Sequence, residues 1–95
     1  MRKSIDELLA SYHFFLDVEV QLQARYQDKK IITGISAPDK LKRWCTVIDL
    51  FFPQQIYVSE LEIPVELRNN AILDITGKLR ENKDGLFYFE ATDSV

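Results

Sequence analysis

The sequence of 95 residues has one cysteine, one histidine and no apolar stretch of bilayer length. The single cysteine, Cys45, excludes a disulfide within the chain. The single histidine, His13, has no cysteine or carboxylate cluster around it at metal-ligand spacing, so we predict no metal site and no cofactor. A transmembrane helix needs about 20 apolar residues, and no stretch approaches that length. These absences indicate a small globular domain.

Motifs of enzyme active sites are also missing. The chain has no glycine-rich phosphate loop, no Gly-x-Ser-x-Gly turn and no His-Glu-x-x-His pair. Cys45 lies in an apolar segment, where a thiol stays unreactive, and the period of a strand accounts for Asp17 and Glu19. We therefore do not expect an enzyme. The N-terminal Met1-Arg2-Lys3 is followed by no apolar run of the signal-peptide type, which predicts a cytoplasmic protein.

The composition is that of one folded domain over residues 1–95. Hydrophobic residues make up 46% of the chain and charged residues 28%, and a chain of this length forms a single core. Twelve basic and fifteen acidic residues give a net charge of −3, which argues against a protein that coats nucleic acid by bulk charge. Any contact with nucleic acid must therefore come from a local basic surface.

The N-terminal segment carries the signals of a helix. Ser4 and Glu7 fit a capping box, in which each side chain bonds the other residue's backbone N–H. Apolar residues then recur at helical spacing, at Ile5, Leu8, Leu9 and Tyr12. The pattern predicts a short amphipathic helix over 4–13. So short a helix is marginal alone, so we expect it to pack on its own barrel or on a partner.

From Leu16 the hydrophobic period changes to two, which is typical of strands with one buried face. This alternation predicts strands over 16–25, 30–36, 43–52, 56–63, 71–80 and 86–92, with turns every eight to twelve residues. Gly34 predicts a bulge or bend, and Asp84-Gly85 predicts the hairpin turn before the last strand. The expected fold is a small antiparallel β-barrel over 16–92 with five or six strands and one N-terminal helix.

Several segments of this pattern carry a family resemblance, namely Trp44-Cys45-Thr46-Val47-Ile48-Asp49-Leu50, Glu62-Ile63-Pro64, Ile72-Leu73-Asp74-Ile75 and Leu86-Phe87-Tyr88-Phe89. In the order of its strands and turns, the chain from Val18 onward resembles the filamentous-phage gene-five-type single-stranded DNA-binding proteins and related small proteins of conjugative elements. Two departures are the segment Pro38-Asp39-Lys40-Leu41, where the family has a glycine-lysine-proline-aromatic turn, and the added helix. The resemblance implies an OB-like five-stranded barrel that dimerises and lays single strands across aromatic and basic side chains.

Basic and aromatic residues are concentrated within twenty positions of the chain, at Arg25, Tyr26, Lys29, Lys30, Lys40, Lys42, Arg43 and Trp44. Aromatic faces stack on bases and basic groups neutralise phosphates, so this mixture suits a single strand. We predict that Tyr26 and Trp44 stack on bases and that the basic residues meet phosphates, because the turn at 26–29 and the loop at 37–42 flank one hairpin. The alternative is a solvated hairpin with ordinary surface lysines and a buried Trp44.

The aromatic content predicts an exposed apolar surface of the kind that is buried in contact with another protein chain. Most aromatic side chains are expected in the core, but the doublets Phe14-Phe15 and Phe51-Phe52 each point to both faces of their element. A homodimer is the simplest way to bury this surface.

Two functions stay open. One is a sequence-nonspecific single-stranded DNA-binding accessory protein of phage or mobile-element replication. The other is a protein-interaction module, an adaptor or inhibitor, in which the helix and the aromatic surface dock onto a larger partner.

Overall fold

The structure is a computed structural model that describes residues 2–28, 32, 43–61 and 66–93. Within these residues the strands are β1 (Arg2–Lys3), β2 (Glu19–Tyr26), β3 (Trp44–Ile48), β4 (Gln55–Ser59), β5 (Ile72–Glu81) and β6 (Phe87–Asp93). The helices are α1 (Ile5–Ala10) and α2 (Tyr12–Phe15), and neither is long enough to cross a membrane. The strand predicted over 30–36, with its bulge at Gly34, lies outside the described residues.

Five of these strands close into a barrel. The sheet has the order β1-β2-β3-β4-β6-β5, and β2 also pairs with β5, which closes the ring. This closing ladder is long, because it joins Glu19 through Arg25 to Lys78 through Ile72. The fold is therefore mostly β, a small OB-like barrel with short N-terminal helices, as the sequence predicts.

The barrel is mainly antiparallel, as predicted, but one pair of its ring is not. The pair β4–β6 is parallel, and so is the short pair β1–β2. The reason is parity. Strand directions must alternate around a ring in which every pair is antiparallel, and a closed ring of five strands cannot alternate throughout. The one parallel pair of the ring lies between β4 and β6, which are joined through β5 rather than by a hairpin.

The core forms from the inward residues of the alternating strands. On β2 every second residue from Val20 to Tyr26 is buried, and on β5 the same holds from Leu73 to Leu79. Ile5 and Leu8 of α1 are completely buried in the same cluster. Burial of a side chain of this size stabilises the fold by about 1.5–3 kcal/mol, so α1 is part of the core.

The start of α1 follows the predicted capping box. Ser4 Oγ accepts a hydrogen bond of 3.1 Å from Glu7 N, and Ser4 N donates one of 3.0 Å to Glu7 Oε1. The end differs from the prediction, because α1 stops at Ala10 and a second turn of helix, α2, follows. At Ser11 the backbone leaves helical geometry, with φ −131° and ψ 43°, so the single helix expected over 4–13 is two short helices.

The last two strands lie within one residue of their predicted bounds, and Gly85 in the turn between them has φ +82°. The other strands are shorter than expected. β2 begins at Glu19 rather than at Leu16, because Asp17 has φ +62°, and β4 ends at Ser59, because Glu60 has φ +63°. Such backbone angles break the pleat of a strand. β3 ends at Ile48 rather than at 52, where the next residues form a turn.

Candidate nucleic-acid interface

The outward face of the β3–β4 pair holds part of the predicted site. Cross-strand pairing sets Trp44 opposite Ser59 and Thr46 opposite Tyr57. The intervening residues Cys45 and Val47 belong to the core cluster. The alternation of the strand therefore turns the side chain of Trp44 outward, away from the barrel interior.

Trp44 and Arg43 lie next to one another at the beginning of β3. The Trp44 ring is partly exposed and contacts the Tyr57 ring edge-on, with centroids 5.3 Å apart and an interplanar angle of 84°. The Arg43 side chain is exposed, and its carbonyl oxygen accepts a hydrogen bond of 2.7 Å from Glu60 N. An aromatic ring and a cation thus lie side by side on a surface, which is the combination that single strands bind.

The centre of this face is covered. Tyr57 and Thr46 are completely buried although they point away from the barrel interior. The backbone N–H of Ile32, which is itself buried, donates a hydrogen bond of 3.1 Å to the Tyr57 hydroxyl. Ile32 therefore contacts the middle of the face, and Trp44 at its edge is partly exposed.

Tyr26 is a core residue, and the expected stacking role does not fit its burial. The side chain is 4% exposed, and its hydroxyl donates a hydrogen bond of 2.9 Å to Asp28 Oδ1. Burial and the Asp28 carboxylate raise the pKa of the Tyr26 phenol well above its usual range. The physical reason is the period of β2, which turns Tyr26 inward with Val20 and turns Arg25 outward.

Four of the predicted site residues, Lys29, Lys30, Lys40 and Lys42, lie outside the described residues. Their positions in the sequence still bear on charge. Five of the twelve basic residues fall between positions 29 and 43, with Asp39 as the single acidic residue of that stretch. The stretch leads directly into β3 through Arg43, so the basic part of an otherwise acidic chain is covalently next to Trp44.

The turn between β3 and β4, residues 49–54, displays two phenylalanine rings, and we name it the aromatic turn. Asp49 is completely buried, and its Oδ2 accepts hydrogen bonds of 3.0 Å from Phe51 N and 3.2 Å from Phe52 N. Its Oδ1 accepts one of 3.4 Å from Asp6 N in α1. Phe51 is 84% exposed and Phe52 51%. A buried carboxylate thus holds in place a turn that presents apolar rings to water.

Arg25 lies beside the aromatic turn. Its Cα pairs with Ile48 on one side and with Ile72 on the other, so the three side chains form an outward row across β3, β2 and β5. A terminal nitrogen of Arg25 donates a hydrogen bond of 3.4 Å to the Asp49 carbonyl oxygen. Arg25 Nε is buried and has no hydrogen-bond partner, while the Ile72 side chain is 62% exposed.

Sequence reasoning pointed to uncovered aromatic surface at Phe51-Phe52 but missed Asp49 and Ile72. A signal for Asp49 was available, since an aspartate directly after an apolar strand commonly bonds backbone N–H groups two residues ahead and starts a turn. No local signal identifies Ile72, because Ile72 lies next to Arg25 only through the pairing of β2 with β5.

Cys45 and His13 are the single cysteine and the single histidine of the chain. Cys45 is buried, and that burial, with a smaller effect of Asp28, raises the pKa of its thiol to about 12. His13 is exposed and packs against the Tyr12 ring, with centroids 4.2 Å apart. Within the part of the chain that the structure describes, no group of three His, Cys, Asp or Glu side chains is arranged to hold a metal ion.

Comparisons of the chain with protein-family models, with curated proteins and with solved structures return no match. Function is therefore inferred from the fold and from the surfaces described above.

Proposed function

We propose that this protein binds single-stranded DNA without sequence preference, as an accessory protein in the replication of a phage or mobile element. The observation that carries the proposal is the partly exposed Trp44 beside Arg43 at the beginning of β3. OB-type barrels bind oligonucleotides on their second and third strands and on the adjoining loops. The second and third barrel strands here are β3 and β4.

The proposed contact combines stacking and charge. The Trp44 ring takes the face of a base, and Arg43 with Lys42, Lys40, Lys30 and Lys29 neutralises phosphates along the strand. Every base has an aromatic face and every nucleotide a phosphate, so these contacts carry no sequence information. The net charge of −3 is compatible with this function because the basic residues are concentrated before β3. The resemblance to the gene-five-type proteins supports the same function.

The proposal includes a homodimer and a cytoplasmic location. Support for the dimer comes from the exposed apolar side chains of the N-terminal helical region, Phe14 and Val18, which water does not favour. Light scattering at high protein concentration is expected to give twice the 11.1 kDa mass of one chain. A mass of one chain at that concentration would remove the dimer from the proposal and leave DNA binding to be tested by titration.

The test is a titration of a labelled oligothymidine of about 16 nucleotides, a length within the range that OB folds occupy. The native protein should bind, and its affinity should fall steeply between about 50 and 200 mM salt because phosphate contacts release counterions. Trp44→Ala should weaken binding by about 1–3 kcal/mol. Trp44→Phe, which keeps an aromatic face, is the matched control and should retain most of the affinity.

Two results would contradict the proposal. One is the absence of detectable binding at low salt, and the other is an affinity of Trp44→Ala equal to that of the native protein. Circular dichroism of each variant shows whether the barrel is intact, so that a loss of affinity is not confused with unfolding.

A second candidate function, a protein-interaction module, is favoured by a different surface. Phe14 on α2 is 76% exposed, and nearby Val18 is 39% exposed. These side chains belong to the N-terminal helical region, which an adaptor or inhibitor would dock onto a larger partner. The titration separates the two functions, since a pure interaction module has no salt-dependent affinity for the oligonucleotide.

A further inference from the structure

We propose that the aromatic turn, with Arg25, forms a second contact with the single strand, so that the site extends beyond Trp44 to the far end of β3. The proposal rests on the proposed function, adds two residues to it, and gives the phosphate contact predicted for Arg25 a place beside them. Phe51 and Phe52 would stack on bases, and Arg25 would bind a phosphate.

The first support is continuity along one strand. Trp44 and Ile48 lie on the same outward row of β3, which spans about 13 Å at the rise of a strand. The aromatic turn begins directly after Ile48. The middle of that row, Thr46, is buried, so a nucleic-acid strand that stacks on Trp44 would cross this covered part of the face and reach Phe51 and Phe52 at the other end of β3.

The second support is the rigidity of the aromatic turn. Asp49 holds the backbone N–H groups of Phe51 and Phe52, and Asp49 N donates a hydrogen bond of 2.9 Å to Gln54 O, which closes the turn. A flexible loop would lose conformational entropy when its rings bind. A turn that is already held by a buried carboxylate loses less, and this favours binding.

The third support is electrostatic. Arg25 is partly exposed, and among the described residues its side chain makes one long hydrogen bond of 3.4 Å, from a terminal nitrogen to the Asp49 carbonyl oxygen. The Asp49 carboxylate, the acidic group of the turn itself, has both oxygens occupied by backbone N–H groups. A partly exposed guanidinium that is held by one long hydrogen bond, at the turn that displays two exposed aromatic rings, suits an anion that carries flat bases.

A second copy of this chain fits the same surface less well. In a two-fold interface the same patch faces itself. An interface centred on the aromatic turn would bring the Arg25 guanidinium groups of the two copies near one another, and like charges in a dehydrated contact repel. A single strand of DNA supplies the opposite charge at that point.

The experiment compares three variants in the oligothymidine titration, each checked by circular dichroism. The double variant Phe51→Ala, Phe52→Ala should lose about tenfold or more in affinity without a change in the salt slope. Arg25→Gln should lower the salt slope by about one. Tyr88→Ala is the control, because it removes a partly exposed ring from β6, where Tyr88 pairs with Arg80 of β5. It should bind as the native protein does.

A direct probe places a fluorophore in the aromatic turn. In a Trp44→Phe background, Phe51→Trp gives the protein a single tryptophan. Stacking on a base should quench its emission when oligothymidine is added, and quenching should saturate with the binding curve.

The outcomes separate this inference from the proposed function. If the native protein binds while the double phenylalanine variant binds equally well and the Phe51→Trp emission is unchanged, the second contact is overturned and binding at Trp44 stands. If the double variant keeps its affinity but its mass falls from two chains to one, the aromatic turn is a contact between copies and the inference is overturned. If the native protein does not bind, both proposals fail.

Discussion

Two sides of this barrel differ in whether their arginine side chains form ion pairs. On the β5–β6 side, Arg80 Nη1 lies 2.9 Å from Asp17 Oδ1 and 4.0 Å from Glu90 Oε1. At the far end of β3, Arg25 has one long hydrogen bond to the backbone carbonyl of Asp49, at the start of the turn that displays the exposed Phe51 ring. We name the first the paired side and the second, together with Arg43 and Trp44 at the beginning of β3, the open side.

The difference bears on function rather than on stability. Exposed ion pairs such as those of Arg80 contribute only about 0–1 kcal/mol each, so they do not hold the barrel together. They do, however, pair the Arg80 guanidinium of the paired side with carboxylates of the same chain. Arg25 has no carboxylate partner among the described residues, so its charge is left to attract an anionic ligand at the aromatic turn. The open side is therefore the side on which we expect binding.

The largest effect is expected beneath the paired side, at Gly77. A Cβ at this position would lie inside the contact distance of the Glu90 carbonyl oxygen and 2.7 Å from Phe89 Cε2. Gly77→Val should therefore lower the free energy of unfolding by about 3 kcal/mol or more, measured by urea denaturation. Lys78→Ala, an outward neighbour, is the control and should change it by less than about 1 kcal/mol. Equal stability of the two variants would show that β5 and β6 do not need this close approach.

The next largest effect on stability is expected at Asp49, which holds the aromatic turn of the open side. Asp49→Ala removes the charged acceptor of the Phe51 and Phe52 N–H groups and should lower the free energy of unfolding by about 2 kcal/mol. Asp49→Asn keeps one oxygen acceptor and should lose less. Hydrogen exchange of the two phenylalanine amides provides a local measurement and should accelerate in Asp49→Ala. Unchanged exchange would mean that the turn is held by other contacts.

A smaller effect is expected from the core below the open side, at alkaline pH. Folding raises the pKa of the Cys45 thiol from 9.0 to about 12, so the folded state binds this proton more tightly than the unfolded state. The resulting stabilisation is complete below pH 9 and is lost as the pH rises toward 12. Near pH 10 the loss should be about 1 kcal/mol.

Cys45→Ala should remove this part of the pH dependence. Tyr26, whose pKa is also raised, contributes in the same direction at higher pH, so a residual slope is expected in the variant. Urea denaturation of both proteins at a series of pH values checks the prediction. Parallel stability profiles for the two proteins would contradict it.

The smallest effect separates the two sides by charge alone. Arg43→Gln and Arg80→Gln each remove one positive charge, so they change the net charge of −3 equally. Arg43→Gln should lower the salt slope of oligothymidine binding by about one, whereas Arg80→Gln should leave it unchanged. Lys29→Ala should behave like Arg43→Gln and cost less affinity than Trp44→Ala. Equal slopes for the two arginine variants would mean that net charge, rather than position, governs binding.

The sequence by itself determined the features that depend on near neighbours. The capping box of Ser4 and Glu7, the alternation along β2 and β5, and the hairpin turn at Gly85 all follow from interactions over a few residues. The burial of Tyr26 was also readable, since the period that puts Val20 inside continues to it. The local signals of the turn at Asp49 and of the left-handed residue Asp17 were weaker, so the strand ends were predicted too far.

Only the tertiary structure decided which surfaces meet. The parallel pair β4–β6 follows from the closure of five strands into a ring, a condition that no segment contains by itself. Closure also pairs β2 with both β3 and β5, and so sets Arg25 beside Ile48 and Ile72, residues distant from it in the chain. Periodicity specifies which face of a strand a side chain occupies, but the neighbours across that face depend on strand order and register. For that reason the open side could be identified only in the folded barrel.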